Sequence, residues 1–79
     1  MDRIDELTAD RVRAAYKAAG HTVETLAEKS GIAYSTLKRR LHPHGRASFQ
    51  MTELYRIAIA LDLPLDALIP KQSEISDAA

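Results

Sequence analysis

The chain has 79 residues, 46% of them hydrophobic, no cysteine, and 11 Lys+Arg against 11 Asp+Glu. These values exclude a disulfide-stapled scaffold, a thiolate metal centre and wholesale disorder, and they predict one small, marginally stable domain. The acidic start MDRIDELTAD lacks the apolar core of a secretory signal. The apolar run over residues 57–69 is broken by Asp62, Pro64 and Asp66, so no bilayer span and a cytoplasmic location are expected.

The zero net charge hides an uneven distribution. No acid lies between Glu28 and Glu53, an interval that holds Lys29, Lys38, Arg39, Arg40, Arg46, His42 and His44. Acids gather toward both ends, so one basic patch is framed by acidic flanks and can meet an anion such as phosphate.

The pattern is helical nearly throughout. Thr8 is a candidate N-cap for a first helix over residues 9–19, whose apolar face is Val12, Ala15, Tyr16 and Ala19. Residues 1–7 can extend it, since Ile4 and Leu7 share a face. Gly20 terminates it. Thr22 then caps a second helix over residues 23–29, with Leu26 and Ala27 inward and Glu24, Glu28 and Lys29 outward. Gly31 stops that helix at a position suited to positive φ. After a Gly31-Ile32 turn, a third helix spans residues 33–42. Its wheel sets Ala33, Tyr34, Leu37 and Leu41 on one side and Ser35, Lys38, Arg39 and His42 on the other. Pro43, Gly45 and their polar neighbours form a loop to about residue 48. Ser48 or Gln50 caps a fourth helix over residues 51–61, with Met51, Leu54, Ile57, Ala58 and Leu61 inward. Pro64 suits the first turn of a short fifth helix ending near Ile69, where Leu65, Leu68 and Ile69 close the core. Residues 1–70 thus form the domain, and the polar tail KQSEISDAA, residues 71–79, is expected to be mobile.

Residues 22–42 meet the demands of a helix-turn-helix. Small Ala27 allows a close helix crossing, Gly31 tolerates the left-handed turn four residues later, and aliphatic Leu37 pins the second helix from behind. The outward face of that helix is then free to enter a major groove. The stretch TVETLAEKSGIAYSTLKRRL resembles the helix-turn-helix of the phage repressor and Cro family, the lambda repressor-like or XRE-type DNA-binding domains. The continuation MTELYRIAIALDLPLDALI is similar to that family's fourth and fifth helices, so the resemblance covers about residues 8–69. It implies an all-α, five-helix domain whose third helix reads operator DNA, usually as a symmetric dimer. Two positions depart from the family pattern. Ser30 stands where an apolar residue is usual, and Arg40 where an aliphatic one turns inward; Leu41 can take over that inward role at i+4 from Leu37.

The resemblance places Ala33, Tyr34, Ser35, Lys38, Arg39 and His42 toward the groove, and the wheel independently exposes Ser35, Lys38, Arg39 and His42. Arg39 is the first choice for a base contact, because its planar fork fits guanine O6 and N7. Lys38 can reach a base or a phosphate. Tyr34 lies between packing and DNA contact, and Ala33 between close approach and packing. Phosphate contacts are expected from Thr22 and Val23 at the positive end of the second helix, from Arg40 at the edge of the third, and from His44 and Arg46 in the following loop.

Other chemistry has little support. His42 and His44 are two ligands where a zinc site needs at least three, so no metal and no cofactor are expected. No phosphate-binding glycine loop or nucleophile elbow is present, so no enzymatic activity is expected. The reading is therefore a sequence-specific regulator of the Cro or short-repressor type that binds a double-stranded operator. It needs no small-molecule substrate and no membrane. Ile59, Leu63, Ile69 and Ile75 are candidates for a homodimer surface. The competing readings are an antitoxin or protein-interaction adaptor on the same fold, and an excisionase-like architectural DNA-binding protein.

Overall fold

A computed structural model of the chain describes residues 3–42 and 47–76. Those residues form helices and turns, with no strand among them: α1 (Arg3–Ala18), α2 (Val23–Ser30), α3 (Tyr34–Leu41), α4 (Met51–Leu61), a single 3-10 turn (Leu65–Ala67) and α5 (Gln72–Ser76). Each of the four helices α1 to α4 sends one fully buried side chain to the centre, Val12, Leu26, Leu37 and Ile57, and Leu68, just after the 3-10 turn, joins them. That shared core joins elements distant in sequence, and α2 packs against both α3 and α4.

α1 begins earlier than a cap at Thr8 predicts. Thr8 is buried inside the helix and donates its hydroxyl proton to the Ile4 carbonyl at 2.7 Å, the i−4 bond open to a mid-helix threonine. Asp5 and Glu6 in the first turn oppose the positive helix end. The terminator is as expected: Gly20 has φ +78, and the next amide, of His21, donates to the Tyr16 carbonyl at 2.9 Å.

α4 matches its expected bounds, with Gln50 as N-cap. Its amide donates to Oε1 of Glu53 at 2.8 Å, the reciprocal bond of a capping box. Asp62 ends α4 in the left-handed region with φ 56, a conformation aspartate tolerates better than most residues. Met51, assigned to the inward stripe, is instead 55% exposed, because it begins the helix beyond the edge of the core.

The expected fifth helix over residues 64–69 is one 3-10 turn. Only Pro64 to Ile69 separate Leu63 from Pro70, and Pro70 has no amide to continue a helical ladder. Of the tail expected to be mobile, residues 77–79 lie outside the described residues, and the described part forms α5 over Gln72–Ser76. Glu74 anchors it by pairing with Arg11 of α1 and by accepting the Lys71 amide at 3.3 Å. The Arg11 hydrogen bond, helped by the Lys71 amide, holds the Glu74 carboxyl below the ordinary glutamate range.

Candidate nucleic-acid interface

The site begins with two local signals. Thr22 caps α2 by accepting the Thr25 amide at 3.2 Å, while Thr25 Oγ1 accepts the Thr22 amide at 2.8 Å. At the other end Gly31 adopts φ 75, ψ 14 and donates its amide to the Ala27 carbonyl at 3.0 Å. Ser30 is buried, and its hydroxyl accepts the Ile32 amide at 3.3 Å. That bond gives the buried hydroxyl a partner within the turn. Ile32 is buried, so the turn is itself part of the core.

α3 starts after Ala33, which stands at its N-cap position, and ends before His42 at its C-cap position. The helix is thus one residue shorter at each end than residues 33–42 predict. Leu37 and Leu41 are buried behind it. Ala33, Tyr34, Ser35, Lys38, Arg39 and His42 are all exposed. Tyr34, placed on the inward side of the wheel, is 42% exposed, and Lys38 Nζ lies over its ring at 5.8 Å from the centroid. The ammonium and the phenol therefore form one unit on the outer face. α3 contains no acid, and among the described residues no acid forms an ion pair with Lys38 or Arg39.

Thr22 is exposed and Val23 half-buried at the start of α2. His44 and Arg46, expected to contact phosphate, lie outside the described residues.

Arg40 does not occupy the position expected of it. Its Nε lies 2.7 Å from Oε1 of Glu53 on α4, and the two side chains are only 11% and 12% exposed. The Nε–H is not aimed for a linear hydrogen bond, so the contact is an ion pair. Arg40 is therefore drawn inward by α4 rather than extended toward phosphate. Leu41 takes the aliphatic role beside it, 5% exposed. A second tie comes from α1: Arg13 donates to the Leu41 carbonyl and also pairs with Asp10 at 3.0 Å. The C-terminal turn of α3 is thus held from two sides.

Beside the start of α3 an open groove of about 530 Å³ is lined by Glu24, Ala27, Glu28, Ile32 and Tyr34. Its carboxylates repel phosphate. The cation-bearing flank of α3, with Lys38 and Arg39, is the side suited to a polyanion.

Sequence reasoning missed two features. Glu53 stands at the capping-box spacing from Gln50, and its contact with Arg40 has no signature in the sequence. Met51, Tyr55 and Ile59 form an exposed apolar stripe on α4, 55%, 52% and 77% exposed, at the i, i+4, i+8 spacing visible in the sequence. Of the residues considered for a dimer surface, Ile59 is freely exposed, whereas Leu63, Ile69 and Ile75 are half-buried.

Among the described residues no group of three or more His, Cys, Asp or Glu could hold a metal ion, and no helix is long and apolar enough to cross a membrane. Comparison of the chain with known protein families, with curated proteins and with solved structures gave no match.

Proposed function

We propose that the chain is a sequence-specific double-stranded DNA-binding regulator of the phage repressor or Cro type, with α2 and α3 as its helix-turn-helix. The observation that carries this reading is the outer face of α3. Leu37 and Leu41 fix the helix from behind, while Ser35, Lys38, Arg39 and His42 face solvent without a neighbouring acid in the helix. In this reading Arg39 reads a guanine through a bidentate contact, worth about 1–3 kcal/mol of discrimination. Lys38 reaches a base or a phosphate. Tyr34, Ser35, Ala33 and His42 line the groove. The N-terminus of α2, with Thr22 and Val23, docks on the backbone. One short helix offers few base contacts, so two protomers would bind half-sites about 34 Å apart on one face of the duplex. The protein would regulate by occupying its operator.

The test is selection of binding sites from a random duplex pool, followed by titration at two salt concentrations. A palindromic consensus is the expected result. Equal, weak affinity for every sequence would sink the specific-regulator reading. A second reading, a protein-interaction module on the same fold, is favoured by the exposed Met51–Tyr55–Ile59 stripe. The double variant Lys38→Gln, Arg39→Gln separates the two, because duplex binding that survives it unaltered cannot come from α3.

A further inference from the structure

Three cations follow one another at the end of α3, yet only two are presented. Lys38 and Arg39 are exposed, whereas Arg40 lies against Glu53 with both side chains nearly buried. Glu53 stands three residues into α4, and the same oxygen that meets Arg40 accepts the Gln50 amide. One carboxylate therefore caps α4 and neutralises the last cation of α3.

We infer that Glu53 is a specificity-determining residue that masks Arg40 and so lowers sequence-independent affinity for nucleic acid. This rests on the DNA-binding reading above. Non-specific binding to a duplex is almost wholly electrostatic, and each added phosphate contact steepens the dependence of log K on log salt by about 0.9. Base-edge contacts do not carry that increment. An unmasked arginine beside the reading helix would tighten binding to every sequence alike and narrow the ratio of specific to non-specific affinity. A masked one leaves Lys38 and Arg39 as the two presented members of the three-cation run. Arg40 is thus a positioning residue for the end of α3, and Glu53 withholds its charge.

The experiment measures duplex binding by fluorescence anisotropy over a salt series, on a selected site and on a scrambled duplex, for the full chain. Glu53→Gln keeps a side chain able to cap α4 and removes the masking charge. Its expected effect is a slope steeper by about 0.9 on both duplexes, with about a threefold gain on the scrambled one at the low end of a fourfold salt range relative to the high end. The double variant Arg40→Met, Glu53→Gln replaces a neutral pair by a neutral pair. It decides the question if the single variant does not fold, which circular dichroism reports. Its slope should equal that of the unsubstituted chain. An unchanged slope in a folded Glu53→Gln variant overturns the masking role, as does a slope shallower by about 0.9 in the double variant, since Arg40 would then already contact phosphate. If the unsubstituted chain binds no duplex, the DNA-binding reading falls and the mask with it. Binding with either wrong slope removes the mask alone.

Discussion

Gly31 offers the sharpest test of how local chemistry builds the turn before α3. Its φ of 75 lies in the left-handed region, and a Cβ added there would meet no atom within 4 Å. Substitution with alanine therefore carries no clash, only a conformational cost. That cost is about 1–2 kcal/mol for a left-handed residue with a side chain. The loss of unfolded-state freedom returns about 0.4–1 kcal/mol, leaving a net destabilisation near 1 kcal/mol. In a domain of this size the midpoint of thermal unfolding falls by about 4–8 °C per kcal/mol. Gly20 is a built-in control: its φ is +78 and its surroundings are equally open, but it lies between α1 and α2. Gly20→Ala should cost the same stability as Gly31→Ala in urea denaturation, and Gly31→Asn should cost less than Gly31→Ala, because asparagine tolerates this conformation. A Gly31→Ala variant as stable as the parent would refute the conformational argument. A loss above about 3 kcal/mol would show a steric cost that the open space denies.

Three further outcomes follow from features already described. Leu37→Ala empties a fully buried site shared by α3 and the core and should cost about 2–5 kcal/mol in urea melts, a large part of a small domain's stability. Thr22→Ala removes the acceptor of the Thr25 amide and should cost about 1 kcal/mol, and a serine in its place should restore most of it. Glu74 has a folded-state carboxyl held below its unfolded value, so its contribution is present above the unfolded pKa and is lost as pH falls through the folded one. An NMR titration should show α5 loosening on the acid side of the ordinary glutamate range, and Arg11→Gln should move that transition upward. Loosening as pH rises instead would contradict the assigned pairing.

Where the chain could be read from its sequence, the signals were short-range. Thr22, Gly20, Gly31 and Gln50 act on amides or dihedrals within a few residues, so the ends of α2 and the bounds of α4 were legible. Thr8 shows the limit of such signals, since a threonine hydroxyl can cap a helix or donate back to the preceding turn. The buried Val12, Leu26, Leu37, Leu41, Leu54 and Ile57 followed from periodicity. Met51 did not, because periodicity locates a face but not how far along the helix the core extends. Arg40 was beyond reach for another reason. Its partner lies thirteen positions away in the next helix, and no repeat in the pattern links a cation in one helix to a carboxylate in the next. The same holds for Arg11 and Glu74, which turn an apparently mobile tail into α5.

The two ends of α3 are held unequally. Arg13 and the Arg40–Glu53 pair tie its last turn to α1 and α4, whereas Ala33 gives its first turn no side-chain cap. Mechanically the helix is braced by side chains at its last turn and anchored through the chain itself, by buried Ile32, before its first. Arg39, one residue and about 1.5 Å of rise from Arg40, lies beside the brace. Lys38 reaches back from the same region to the Tyr34 ring, so the outer face is spanned by one side-chain contact from the braced end to the anchored one.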